Sequence, residues 1–418
     1  MQSSEPSQSS RGNQPRPLPL AGIRVLDFGH TVMGPTCGLV LADLGADVIR
    51  IEPLEGERSR SFRGFACGFF KYFNRNKRSV AVDLKHPDGI AVVKDLIRSA
   101  DVLLENFAPG TMERLGLGWD ALRAVNERLI YCSLKGYLSG PYEQLLALDE
   151  VVQMQAGLAY MTGPPGMPLR AGSSVVDITG GLFGVVGVLA ALHERERTGR
   201  GHLIQSALFE STAFLVGQHM AAAAISGEPS LPMPVRKTGT TLGSSGGAWS
   251  VYDAFEMQDG SAFIAVATEA QWQRFCQLFG LEALAAMPEF ADLTGRLRNR
   301  VALAARLKDI FRGMTVDDVV GRCREAQIAC APVGRPDDLF DDPHLNAGGG
   351  LLEIDITDGG HARLPALPLA YDGQRFGLRS QPPACGNATT DALAECGYSR
   401  ERIAALAKDG IVAVGEEQ

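Results

Sequence analysis

From Gly22 onward the chain alternates short apolar runs with amphipathic stretches. IRVLDF leads into helical periodicity over Thr36 to Leu44 and then DVIRIE. RSVAVDL leads into helical periodicity over Pro87 to Ser99 and then DVLLENF, and a helical pattern from Trp119 to Glu127 precedes LIYCSLKGY. Strand-length apolar runs separated by helix-period stretches predict βαβ units, and hence an α/β fold with a largely parallel, doubly wound sheet. Ligands of such sheets bind beyond the carboxyl ends of the strands, which singles out Asp27, Glu52, Lys85, Asn106 and Lys135.

Beyond a Gly- and Pro-rich loop (Gly163 to Gly172), the run SSVVDITGG precedes an apolar helix expected from about Gly181 to Glu196 and ended by Gly199. Its apolar stretch, Gly180 to Leu192, is shorter than a bilayer requires and runs into HERERTGR, so no membrane span is expected. Ser226 to Gly247 reads as a linker. A second, smaller α/β unit is expected after it, with WSVYDAF and SAFIAVA flanking the turn signal Asp259-Gly260 and helical patterns over Ala270 to Phe279, Arg300 to Arg312 and Val316 to Ala326. A strand pair around Asp358-Gly359-Gly360 and helices near Asp391 to Cys396 and Arg400 to Lys408 complete the chain. The expected division is a disordered tail (1–20), a large domain (21–225), a linker with a Gly-rich loop (226–247), a small α/β domain (248–335) and a C-terminal segment returning to the large domain (336–418).

Composition narrows the function. A chain of 418 residues with 45% hydrophobic content exceeds what one core usually organises. A net charge of -8 gives no electrostatic footprint for nucleic acid, which is not expected as a partner. The eight cysteines include no CxxC pair, so reduced thiols in a cytoplasmic protein are expected rather than zinc or disulfides. The polar first twenty residues lack the apolar region of a secretory signal. No HExxH or P-loop occurs and the seven histidines show no metal-ligand spacing, so no metal is expected.

Among residues that could carry chemistry, Asp177 stands between an apolar run and a helix start. Such an aspartate can be a plain N-cap. The same place also suits a nucleophile: a helix N-terminus keeps the carboxylate ionised, and neighbouring backbone N–H groups can stabilise an oxyanion. Attack on a thioester would give a mixed anhydride and divide one hard acyl exchange into easier steps. The run Gly243-Ser244-Ser245-Gly246-Gly247 is either a linker or a loop able to cover a bound acyl group. It matches GxSxG formally, but lacks the strand before and the helix after it that a nucleophile elbow needs. Lys85, Arg114 and Lys135 suit a phosphate-bearing cofactor or are simply surface charges. His30 follows the first strand and either lines a pocket or packs. Gly180-Gly181-Leu182-Phe183-Gly184 lacks the spacing of a dinucleotide fingerprint.

Taken together, IRVLDFGHTVMGP, ADLGADVIRIEP, FNRNKRSVAVDLKHPDG, ENFAPGTMERLGLGWD, VVDITGG, ERERTGRG and QIACAPVGRPDDLFDDPHL resemble the class III CoA-transferase family, over about Leu20 to Val412. The resemblance implies a large Rossmann-like domain and a small domain in an interlocked, ring-like homodimer, with coenzyme A as a substrate and no permanently bound cofactor. It implies that Asp177 carries the acyl group. CoA contacts are implied at Val82 to Lys85, Asn106, Phe107, Ala108, Arg114 and Lys135 to Leu138 (Tyr137 among them), with Val32 and Met33 close to the cofactor and His30, Gly246 and Gly247 on the substrate side. The partners implied are acyl-CoA and small carboxylic acids.

Three departures shape the expected substrate. Formyl-CoA transferases carry Gln at the position of Val32 and only glycines where GSSGG stands, which counts against an oxalate pocket and favours a larger dicarboxylate or other acid. Racemases of the same fold have a catalytic His at the position of Leu148, before Asp149, and without that base α-proton abstraction loses one partner. An Arg that often follows the second strand is Pro53 here, which leaves Arg58 as a candidate replacement. The expected reaction is CoA transfer from succinyl-CoA or a similar donor; the alternatives are an acyl-CoA racemase or isomerase and a non-catalytic CoA-binding protein.

Overall fold

A computed structural model of the protein describes residues 17–232, 249–356 and 359–415. The chain forms two compact units, one made of the described residues up to Leu146, Asp177–Ala207 and those from Gly348 on, the other of Ala147–Val176 and Leu208–Ala347.

The first unit is built on strands β1 (Arg24–Asp27), β2 (Asp47–Glu52), β3 (Lys77–Val82), β4 (Val102–Glu105), β5 (Ile130–Lys135) and β6 (Leu203–Ala207). All six are parallel, in the order β3-β2-β1-β4-β5-β6, and the terminal strand Val412–Ala413 pairs antiparallel with β3 at the edge. This is the mixed α/β fold with a dominant parallel sheet that the alternation predicts. Helices α1 (Met33–Asp43), α2 (Phe69–Phe73), α3 (Pro87–Arg98), α4 (Thr111–Arg114) and α5 (Trp119–Arg123) connect the strands. Pro87 starts α3 where a missing N–H costs nothing, and His86 caps it by accepting from the Asp88 N–H. The apolar stripe of α3 (Val92, Val93, Leu96, Ile97) packs on Leu26, Ile49, Val80 and Leu103, with Leu393 and Leu406 from the terminal helices closing the same core. By contrast, every residue of α1 is buried, as its nearly uniform apolar sequence requires.

Helix α8 (Val175–Thr198) follows α6 (Asp149–Gln155) and α7 (Leu158–Thr162). It begins at Val175, earlier than the Gly181 expected from periodicity. β-branched valines after two serines read as loop or strand, yet the Val176 N–H finds an acceptor in the distant Asp149 carboxylate at 2.9 Å. The helix is therefore longer than its apolar core suggests. At 24 residues it is, among the described residues, the one helix long and apolar enough to cross a bilayer, which corrects the length argument above. Its glycines fit against protein: a Cβ on Gly184 would meet Leu134 at 2.7 Å and Cys37 and Cys132 beyond, and one on Gly187 would meet Ile204 at 2.5 Å. Near its end Arg195, almost fully buried, pairs with Asp101 at 2.8 Å.

In the second unit, α9 (Leu208–Ser226) joins α6 and α7. Strands β7 (Val251–Glu256), β8 (Ser261–Val266) and β9 (Ala329–Pro332) form an antiparallel sheet. Helices Glu269–Phe279, Arg300–Phe311 and Val316–Glu325 pack on it through Trp272, Phe275, Leu307, Phe311 and Val319. The first of them starts in a capping box between Thr268 and Gln271.

Candidate active site

Because β1 to β6 run parallel, their carboxyl ends share one edge, and the strand order reverses between β1 and β4. The crevice beyond such a reversal is where doubly wound sheets hold ligands. The loop from β1 to α1 crosses it. Asp27 Oδ1 accepts from the Gly29 N–H at 2.7 Å, Asn106 accepts from the His30 N–H at 2.8 Å and donates to the His30 carbonyl at 3.1 Å, and Glu57 accepts from the Thr31 N–H at 3.3 Å. Thr31 sits at φ 64°, a left-handed conformation that a β-branched residue rarely adopts. The hydrogen bonds on either side hold it there.

Beneath this loop lies a buried set of charges on β1, β2 and β3. Lys77 Nζ donates to Asp27 at 2.8 Å, to the Pro35 carbonyl at 3.0 Å and to Asn74 at 3.0 Å. Arg50 lies 3.2 Å from Glu57 and 3.8 Å from Asp27. Arg60 grips Glu52 with two of its three guanidinium nitrogens, at 2.6 and 2.8 Å, while the Ser79 hydroxyl donates to Glu52 at 2.6 Å. Three carboxylates thus face three cations, the condition under which buried charge is tolerated. Burial alone would raise the Glu52 carboxyl, but Arg60, Arg50 and Ser79 outweigh it and hold the group below the ordinary range. Burial pulls the Lys77 ammonium down against the attraction of Asp27. It also lowers the His30 imidazole, opposed by Glu57, which favours the neutral ring.

Asp177 is half-buried and lies in the first turn of α8, inside the helix and not ahead of it. The next residue, Ile178, packs with Val32, Phe73, Phe69 and Tyr72. One turn on, a Cβ on Gly181 would lie 2.7 Å from the Met33 carbonyl oxygen and 3.0 Å from Thr36 Cβ. The opening turns of α8 and α1 are therefore in contact, and the β1–α1 loop and Asp177 belong to one packed assembly. Gly181→Val should force the two helix starts apart, because backbone cannot yield as a flexible side chain can. A loss of about 2–4 kcal/mol in chemical denaturation, with a larger fall in activity than Gly217→Val produces, is the expected result.

The other candidates fall along the same strand ends. Val82 is buried at the end of β3, and Lys85 is exposed just past it, its N–H bound to Asp83 at 2.9 Å. The Phe107 ring lies 5.7 Å from that of His30 and its N–H donates to Glu105, while Ala108 is exposed. Lys135 donates to Glu105 at 3.1 Å, and the Ser133 hydroxyl reaches the same carboxylate. Tyr137 is buried with its ring 5.7 Å from Tyr142. Arg114, exposed on α4, donates to Thr111 at 2.9 Å. Val32 is buried against Leu39 and Phe73, and Met33 is buried at the start of α1. Gly246 and Gly247, with the whole Gly243 to Gly247 run, lie outside the described residues. Among the described residues, no group of His, Cys, Asp and Glu is placed to hold a metal ion. Sequence reasoning missed Arg50, Glu57 and Lys77. Arg50 in the apolar run DVIRIE was a usable signal, since a charge at a buried strand position needs a partner.

The profile of CoA-transferase family III matches residues 20–389. The beta subunit of succinyl-CoA–L-malate CoA-transferase from Chloroflexus aurantiacus is 35% identical over 90% of this chain and 94% of its own length. Succinate–glutarate CoA-transferase from Agrobacterium fabrum is 32% identical over 91% of this chain and 96% of its own. The crystal structure of a CAIB/BAIF family protein from Brucella suis superposes with a TM-score of 0.81 at 28% identity, covering 91% of this chain and 100% of that one.

Proposed function

The chain belongs to CoA-transferase family III, and on that premise we propose that it moves CoA from succinyl-CoA or a similar acyl-CoA to a small organic carboxylate, with Asp177 as acyl carrier. The observation that carries this reading is the placement of Asp177: a carboxylate in the first turn of a long helix, on a turn packed against the loop that crosses the sheet's ligand-binding edge. The helix N-terminus keeps the carboxylate ionised and supplies N–H groups for a developing oxyanion.

In the proposed sequence, the Asp177 carboxylate attacks the thioester carbonyl and the C–S bond breaks, giving a mixed anhydride and CoA thiolate. The thiolate attacks the aspartyl carbonyl of the anhydride, releasing the donor acid and leaving an aspartyl–CoA thioester. The acceptor carboxylate expels CoA from that thioester as a second anhydride forms. Thiolate attack on the acceptor's acyl carbon completes the new acyl-CoA and restores Asp177. No net proton is transferred, so no general base is required. CoA is a substrate throughout, with no resident cofactor.

The basic side chains of Lys85, Arg114 and Lys135, and the backbone from Asn106 to Ala108, are proposed to meet CoA. His30 and the run containing Gly246 and Gly247 are proposed to meet the acid. The dicarboxylates in the names of the relatives favour a dicarboxylate acceptor here. Exposed apolar side chains on α8 (Val186, Leu189) and α9 (Met220, Ile225) support an interlocked homodimer with a large Rossmann-like and a smaller α/β domain. Eight unbridged cysteines support a cytoplasmic setting.

The test incubates purified protein with succinyl-CoA and a panel of mono- and dicarboxylic acids and follows new acyl-CoA by mass spectrometry. Transfer to at least one dicarboxylate is expected; exchange of the acyl-CoA α-proton for deuterium without transfer to any acid would replace the reading with a racemase.

A further inference from the structure

Two side chains on α6 tie together the segment that leads into Asp177. Gln153 and Asp149 lie one helical turn apart on the same face, and both are buried, at 0% and 4% exposure. The Ala171 N–H donates to Gln153 Oε1 at 2.8 Å, Gln153 Nε2 donates to Asp149 Oδ1 at 2.5 Å, and Asp149 Oδ2 accepts from the Val176 N–H at 2.9 Å. Beside them Arg170 is paired with Glu150. The chain of hydrogen bonds thus runs from Ala171 through two side chains to Val176 and closes the segment Ala171–Val176 into a braced loop.

The direction of these bonds is forced. A backbone N–H at each end demands an acceptor, so Gln153 must turn its oxygen to Ala171 and its NH₂ to Asp149, and Asp149 must be acceptor to both neighbours. The Val176 N–H is a first-turn helix donor that no residue of α8 itself can satisfy. Asp149 therefore does for α8 what the sequence suggested Asp177 could do by itself: it caps the helix start, through a residue far upstream.

We infer that Asp149 and Gln153 are positioning residues for the transfer reaction, setting the first turn of α8 so that the carboxylate of Asp177 meets the acyl carbon. The inference rests on the reading of Asp177 as acyl carrier. Neither side chain is assigned contact with CoA or acid; their effect passes through the backbone of the Ala171–Val176 segment.

The inventory of donors and acceptors supplies the test. In Asp149→Asn the amide of residue 149 must turn an NH₂ toward either the Gln153 NH₂ or the Val176 N–H, so one donor faces another. In Gln153→Glu two carboxylates face each other. The double variant Asp149→Asn/Gln153→Glu restores the chain with its middle bond reversed, since the NH₂ of residue 149 then donates to the carboxylate of residue 153, and both backbone donors keep acceptors. All three variants are close to isosteric and the double variant keeps the net charge.

Steady-state kinetics with succinyl-CoA, per folded protein and well below the unfolding temperature, should show each single variant reduced about 10–100-fold in kcat with KM for acyl-CoA within about 2-fold, as expected when a reacting group is displaced by a fraction of an ångström to an ångström. The double variant should return to within about 5-fold of the parent. Gln153→Glu should also recover partly toward lower pH, where one of the facing carboxyl groups takes up a proton and becomes a donor. Single variants with parental kcat, or a double variant no better than the worse single one, overturn the inference. So does a loss that follows the folded fraction alone. Asp177→Ala, run alongside, separates the two levels: if it keeps full turnover, the acyl-carrier reading falls and this inference with it, whereas an inactive Asp177→Ala beside fully active single variants removes the positioning role alone.

Discussion

Asp177→Ala is expected to lower CoA transfer by about 10⁴-fold or more while leaving the fold and the binding of CoA intact, because it removes the proposed covalent carrier and leaves direct attack of one carboxylate on a distant thioester as the remaining route. Asp177→Asn should be as inactive: the amide keeps the shape of the first turn of α8 but has no anionic oxygen to attack with. Asp149 cannot take over, since it is buried, at 4% exposure, and held in place by its bonds with Val176 and Gln153. Single-turnover mass spectrometry gives the decisive readout. In the parent protein, succinyl-CoA without acceptor should leave a CoA adduct on the peptide containing residue 177, and neither variant should acquire it. An adduct on another peptide would move the nucleophile there.

The second large effect is on stability. Lys77→Met should cost about 3–5 kcal/mol in chemical denaturation, because it strands the carboxylate of Asp27 in a site closed to bulk solvent. Asp27 and Lys77 are both fully or almost fully buried, and Arg50, 3.8 Å away, is the nearest remaining cation. Adding Asp27→Asn to Lys77→Met should recover part of the loss, since the amide carries no charge and its oxygen can still accept from the Gly29 N–H. A double variant less stable than Lys77→Met would show that the Asp27 charge itself, and not its pairing with Lys77, supports the site. Because Asp27 also holds the β1–α1 loop, Lys77→Met should raise KM for acyl-CoA even where the protein remains folded.

The parallel sheet was legible because each of its strands is a compact apolar run bounded by polar residues, and because the alternation with helices leaves few topologies open. The residues just past β1, β3, β4 and β5 were legible as site candidates for the same reason: once strands are parallel, their carboxyl ends coincide. What stayed hidden depends on groups that meet only after folding. The true start of α8 is set by Asp149, whose hydrogen bond to Val176 bridges residues that no local pattern connects. The buried charges of Asp27, Arg50, Glu52 and Lys77 belong to three different strands; Asp27, Glu52 and Lys77 each looked in isolation like a strand-end or surface residue, and Arg50 gave a sign of burial without naming its partners. Likewise Thr31 gave no sign of its left-handed backbone, which is imposed by Asn106 and Glu57 on either side.

The two-residue terminal strand has a consequence for biosynthesis. Val412 pairs with Val82 and Ala413 with Ala81, and the Asp83 N–H waits for the Ile411 carbonyl. A ribosome delivers β3 long before these distant partners, so until they emerge β3 presents an open hydrogen-bonding edge to whatever other chains are near. Nascent chains released before Ile411 would keep that edge for good, and their fate is decided by chaperone capture or aggregation rather than by the stability of the sheet they have already made.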